Sequence, residues 1–495
     1  MKTIFSADSI YINKTEKKDY SVVVENGIIQ VIGKRNLIKQ QFPFVREKKY
    51  DGFLYPGFND AHVHIKEIAL LLSSENATNC KSYQCVKRLI EGNDKNFVYI
   101  YNLNFNNFSR NEWEKLFEYN KKPVFIQSKD EHSVFVNKAA LKEKQIALKR
   151  IRGDVLVKNK GKFIGILKDR AIELVKSIKE RQISIKDVKN AEKYLLKRGI
   201  VSATNFDFSI YPLLNNINKN KDLKIRIYQG IEKNSLGDVI NEKIHTGLGD
   251  KNLRFGPLKC FMDGSLGSQT AAMYRVNGFP SSFTMEKDEL NNIISLANEN
   301  DIQVAVHAIG DKAVHTVMSL FSRFGNQKMR NRIEHLQFIN EKDLSLLQRT
   351  HCIASMQPIH ATADAALVKK LIGNYRYAYP WKTVLNSGKL LAFGSDAPVE
   401  DASPLQGIYA ATTRISPNST NPFVPEECIS RKEAFDAYTT GSAFASFAEN
   451  VSGKIKNGYL ADFILLDKSL FHFNDIMNII IIKNIIGGIE WMKSQ

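Results

Sequence analysis

Short apolar segments alternating with amphipathic segments through the middle of the chain limit this sequence to folds built on a parallel β-sheet. IQVAVHA (302–308) and KLLAFGSD (389–396) read as short buried strands. DKAVHTVMSLFSRFG (311–325) carries its apolar residues at helical spacing. The alternation leaves the sheet open or closed. With 495 residues the chain is too long for an ordinary single domain, but barrels run long as single units.

Both ends depart from this rhythm. SVVVENGIIQVIG (21–33) sets two apolar runs around Asn26-Gly27, a two-residue hairpin signal. VSGKIKNGYLADFILLD (451–467) carries a second such pair, Asn457-Gly458, and ends in an apolar run. The ends are expected to pair into one composite β-domain, residues 1–53 with 448–495, flanking a central unit over 54–447. A stretch at about 66–190, rich in Lys and Asn, contains its own strands in NFVYIYNLNF and KPVFIQS. It reads as an insertion between the first and second strands of the central sheet, placed to shape access to a site.

Hydrophobic residues make up 43% and charged residues 25%, so the chain can bury a large core. The net charge of +18 raises nucleic acid or an anionic membrane as a partner. The lysines are scattered rather than gathered in a stripe, and no specific nucleic-acid partner is expected. The first residues, MKTIFSADSIYI, read as a strand and not as a secretion signal. The Ile-rich tail is interrupted by Asn478, Lys483 and Asn484, which fits a strand better than a membrane span. Cys80, Cys85, Cys260, Cys352 and Cys428 are sparse and odd in number, which argues against a disulfide framework and for a reducing, cytoplasmic setting.

The chemistry lies where strands end. In LYPGFNDAHVHI, His62 and His64 stand two residues apart, so on a strand both point to the same side and make half a metal site. His307 closes VAVH, and His335 closes RIEH. Either alone reads as a satisfied core histidine, but the placement recurs. Asp396 follows the apolar strand LLAF, where it could also serve as a helix cap. Lys259 sits in PLKCF, and a lysine in an apolar strand is costly unless paired or modified.

Taken in order, PGFNDAHVH, PLKCFMDGSLGSQTAA, VAVHAIGDKAV, RIEHLQ, ASMQPIHATAD, LAFGSDAPVE and GYLADFILLD resemble the amidohydrolase superfamily. The resemblance is to its family 3 group, which includes N-substituted formamide deformylases, and it covers nearly the whole chain. It implies an α/β fold: a (β/α)8 TIM barrel with a small composite β-sandwich domain from both termini and an inserted α/β subdomain. It implies that His62, His64, Lys259, His307, His335 and Asp396 ligate a divalent metal, most naturally zinc, as one ion or two. Lys259 would be N-carboxylated, and Asp396 would double as general base. The implied reaction is cleavage of an amide or related C–N bond of a small molecule by metal-activated hydroxide. Alternatives are a single-metal hydrolase acting on an ester or cyclic amide, or a catalytically silent small-molecule-binding homologue. His132, Asp263 and His360 match positions near the substrate, and a homodimer is a further possibility of the resemblance. The chain departs from the family at Glu131, where glycine is usual, and in the segment YIYNLNFNNF, so substrate preference does not carry over.

Overall fold

The structure is a computed structural model. It describes all residues except 1, 131, 147–155, 176–177, 179–182, 275, 277–278, 280–282, 417–418 and 492–495. Glu131, singled out above, lies outside the described residues.

Eight parallel strands form the central sheet: Phe58–Val63, Ile200–Asn205, Arg226–Glu232, Leu253–Phe261, Val304–Ala308, Arg332–His335, Ile353–Met356 and Leu390–Phe393. Neighbours in the sheet are neighbours in the chain, so they are numbered here as barrel strands 1 to 8. The ring closes just beyond strand 8: a parallel bridge joins Val63 to Ala397, and Asp396 N–H donates to the His62 carbonyl (2.7 Å). This is the TIM barrel. Strands 5 to 7 are buried along their whole length, which fits a sheet covered by helices on its outer side. The helix Asp311–Phe324 illustrates the cover: Ala313, Val314, Val317, Met318 and Phe321 form its buried face.

Strands from both chain ends share a second, eight-stranded sheet. Asn26 and Gly27 take left-handed φ values of 52° and 80°, which a two-residue hairpin turn requires. They join Tyr20–Glu25 to Ile28–Lys34. The two ends meet where Phe463–Leu466 runs antiparallel to Glu47–Pro56, with Phe463 opposite Pro56 and Leu466 opposite Phe53. Phe5, Val22, Leu54, Phe463 and Ile485 pack between these strands. The sheet is tied to the barrel by Arg226 of strand 3, whose guanidinium makes a two-pronged ion pair with Asp462 (2.5 and 2.8 Å).

Between barrel strands 1 and 2 the chain forms a six-stranded sheet with a hydrophobic core of its own, including Val98, Trp113, Ile126 and Phe135. Cys80 and Cys85 in this segment are disulfide-bonded, while Cys260, Cys352 and Cys428 are free. The cysteine count therefore misled on this pair. Ser82 caps the helix Tyr83–Glu91 and turns the chain so that the two Cα atoms stand 5.5 Å apart, a proximity that cysteine number does not encode. No helix among the described residues is long and apolar enough to cross a membrane.

Candidate metal centre and active site

The chemistry-bearing side chains collect at the C-terminal ends of the barrel strands, where barrel enzymes place their sites. Strand 1 delivers His62, and His64 follows one residue past its end. Strands 1 and 8 approach closely because position 394 is glycine: a Cβ there would stand 2.4 Å from the His62 nitrogen. Asp60 fixes the junction by accepting from His62 N–H, Ser395 N–H and the Ser395 hydroxyl. Burial raises the Asp60 carboxyl to about 6. His335 and Asp396 adopt left-handed backbone, φ 71° and 58°, a conformation rare outside glycine and common at functional sites.

Three of these residues meet closely. One ligand atom each from His62, His335 and Asp396 lies within 4.8 Å of the others, and all three residues are buried. His62 Nδ1–H donates to Glu334 (2.7 Å), leaving Nε2 directed at Asp396 Oδ1 (3.3 Å). His64 repeats the arrangement: Nδ1–H donates to Asp207 (3.1 Å), and Nε2 stands 3.2 Å from the same Asp396 oxygen. Fixing one imidazole nitrogen on a carboxylate so that the other offers its lone pair is how metal-binding histidines are held. The other Asp396 oxygen faces His360 Nε2 (3.8 Å) and His335 Nδ1 (4.0 Å). Neither of these nitrogens has a hydrogen-bond partner, although both are buried. Orphaned buried imidazole nitrogens around a carboxylate suit a cation, so the donor set fits a divalent metal.

Lys259 enters from strand 4 with its Nζ 3.3 Å from His62 Nε2 and 4.3 Å from the centre of the Phe206 ring. Burial pushes this ammonium down to about 8. Burial and the neighbouring Lys259 charge push His62 down to about 4, so at neutral pH the ring is uncharged. Burial alone would raise Glu334, but Arg332 and His62 bring it to about 2. Burial would raise Asp396 as well, yet the surrounding histidines hold it well below the usual carboxylate range.

The other expected residues are placed less uniformly. The His307 ring lies 4.4 Å from that of His335, but its Nε2–H donates to the Gly264 carbonyl (3.1 Å). His132 reaches in from the insertion to within 6.0 Å of the His307 ring. His132 and His360 line a cavity of about 720 Å³ that contains the whole cluster. Asp263 is absent from that lining. Its carboxylate accepts the backbone N–H groups of Ala272, Ile309 and Gly310, which anchors the loop after strand 4 to the end of strand 5. Sequence reasoning passed over Glu334, Asp207 and Asp60. Only Glu334 carried a signal: Arg332 and Glu334 alternate on one face of an apolar strand, where charges must pair.

Fold and site together define a barrel whose mouth gathers a His/Asp cluster that could hold a cation. The family model described as the amidohydrolase family matches residues 51–488, and the chain belongs to that family. It is 30% identical over 404 residues to Protein LONG AFTER FAR-RED 3 of Arabidopsis thaliana, covering 74% of this chain and 68% of that one. It is 28% identical over 515 residues to YtcJ of Bacillus subtilis, covering 95% of each. Among solved structures it is similar to a metal-dependent hydrolase from Pyrococcus horikoshii, with a TM-score of 0.80 and 23% identity over 96% of this chain and 99% of that one. It is also similar to one from Pyrococcus furiosus, with a TM-score of 0.77 and 25% identity over 95% and 100%.

Proposed function

We propose that this protein is a metal-dependent hydrolase that cleaves an amide or related C–N bond of a small molecule. The observation that carries the reading is the meeting of His62, His335 and Asp396 donor atoms within 4.8 Å at the barrel mouth. Membership of the amidohydrolase family supports it, as does the likeness to metal-dependent hydrolases of two Pyrococcus species. His62, His64, His307, His335 and Asp396 would hold the metal, and zinc suits an imidazole and carboxylate set. A bound divalent ion supplies Lewis-acid polarisation of the scissile carbonyl and acidifies water.

The chain's own groups do the rest. Glu334 and Asp207 hold the tautomers of His62 and His64. A neutral Lys259 amine can add carbon dioxide at Nζ with release of a proton, which turns a buried neutral amine into a carbamate anion that could serve as a ligand for one ion or two. Asp396 takes the proton of the attacking water at a carboxylate oxygen and passes it to the departing nitrogen. His132 and His360 face the substrate from the cavity wall. The proposed substrate is a small molecule, and no nucleic-acid partner is involved.

The test is turnover of N-formyl and N-acyl amines, with an ester and a cyclic amide alongside, before and after chelation. The expected result is loss on chelation, recovery with zinc, and no recovery in His62→Ala. Undiminished turnover in chelated His62→Ala protein contradicts the proposal.

A further inference from the structure

Two buried acceptor atoms in the cavity wall have no donor. Glu67, in the first turn of the helix Ile65–Leu72, is 6% exposed, and its Oε2 accepts no hydrogen bond. Gln337, two residues beyond His335, is 3% exposed, and its Oε1 is likewise unpartnered. Both residues line the cavity that holds the metal cluster. The helix N-terminus does not satisfy Glu67, because its leading N–H groups are already engaged. Ile65 N–H donates to Asn205, while those of Lys66 and Glu67 donate to Asp207. No ion pair joins Glu67 to any described residue. A carboxylate oxygen buried without a donor is disfavoured, and a donor from outside the chain would complete this site.

The charge of the wall points the same way. Setting aside Asp207 and Asp396, which belong to the metal cluster, the cavity presents the carboxylates of Glu67, Asp130, Glu173, Glu232, Asp364 and Glu400 against the ammonium groups of Lys66 and Lys259. Lys66 is held by Ser209, Lys259 faces His62, and Glu400 is paired with Lys129 from the insertion. A wall rich in carboxylates inside a chain of net charge +18 is a local feature and not an echo of composition.

We propose that the cavity recognises small molecules carrying a cationic nitrogen, a protonated amine or a guanidinium. The Glu67 carboxylate holds the cation, and the Gln337 amide oxygen accepts a substrate N–H. The inference rests on the hydrolase reading for the bond that is cut, but recognition itself is separable from cleavage. A cavity of about 720 Å³ accommodates a molecule of this kind.

The test is calorimetric titration of the full-length protein with N-acetyl-1,4-diaminobutane and with N-pentylacetamide, which has a methyl group in place of the ammonium. Release of acetate is followed in the same samples. The expected result is affinity for the cationic probe about tenfold or more above that for the neutral one. In Glu67→Gln the two affinities should converge, with the neutral probe unaffected. Equal or tighter binding of the neutral probe to the wild-type protein overturns the proposal, as does failure to bind either probe or a preference unchanged in Glu67→Gln. The wild-type comparison stands even if the variant does not fold. Hydrolysis of both probes without an affinity difference removes the recognition claim and leaves the hydrolase reading. A clear preference with hydrolysis of neither does the opposite.

Discussion

Replacing Glu334 with Gln keeps the shape of the side chain and removes its charge. The consequence can be worked from its contacts. Glu334 is fully buried; it accepts His62 Nδ1–H at 2.7 Å and Arg332 Nε–H at 2.8 Å. Arg332, equally buried, also donates to the Ala61 carbonyl and the Ser355 hydroxyl, so it keeps its hydrogen bonds but loses its counter-charge. Breaking a buried ion pair from one side costs about 3–5 kcal/mol. Gln preserves one acceptor, which places the expected loss near the lower figure. With an unfolding entropy of about 2 cal/mol/K per residue, the 495-residue chain melting as one unit should lose roughly 3 °C. Metal affinity should fall more visibly, by about 10- to 100-fold, because the carboxylate that orients His62 is gone. The assays are calorimetric melting of chelated protein and competitive zinc titration. Pairing Glu334→Gln with Arg332→Met removes the stranded cation, so the double variant should regain stability but not metal affinity. Wild-type zinc affinity in Glu334→Gln would refute the role assigned to this carboxylate.

Other outcomes follow from the same contacts. Lys259→Ala should abolish turnover, with partial rescue by short carboxylic acids, and Lys259→Glu should retain more metal than Lys259→Ala; unchanged metal stoichiometry and turnover in Lys259→Ala contradicts the ligand role. Arg226→Ala strands the buried Asp462 at the joint between barrel and end sheet, and should cost about 3–5 kcal/mol, read as a lower melting temperature with zinc affinity per folded molecule unchanged. Glu490 ties the two ends together through Lys48, Lys483 and Tyr50. Burial works against its ionisation, but the two lysines bring it from 4.5 to about 2. Because the folded pKa is depressed, its stabilisation is complete above about 4.5 and is lost as pH falls through about 2. Glu490→Gln should therefore flatten that part of the stability profile by about 0.5–1 kcal/mol, measured by urea unfolding across the acid range.

The sequence made the parallel sheet legible where periodicity was unambiguous, and its closure into a barrel was legible only through the family resemblance. The strands that carry His307 and lead to Asp396 and the helix at 311–324 were readable from apolar spacing alone, and His62 with His64 from two-residue alternation. The hairpin at Asn26-Gly27 was readable because so few residues accept left-handed backbone. What escaped was tertiary. Asp207, 143 positions from His64, has no local mark in NFDFS that distinguishes it from a surface acid. Asp263 sat beside the right motif, but only the fold reveals that three backbone N–H groups occupy its carboxylate. The Cys80–Cys85 bridge depends on a capped turn rather than on cysteine number. The left-handed backbone at His335 and Asp396, which aims both side chains at one point, is also invisible in residue type.

The central claim is that His62, His335 and Asp396 hold a divalent metal. Elemental analysis of purified full-length protein after zinc loading and desalting tests it most directly, with His62→Ala, His335→Ala and Asp396→Ala treated identically and their folding checked by circular dichroism. The account predicts at least one equivalent of zinc in the wild-type protein and a large loss of it in each folded variant. Full zinc occupancy in all three folded variants would contradict it.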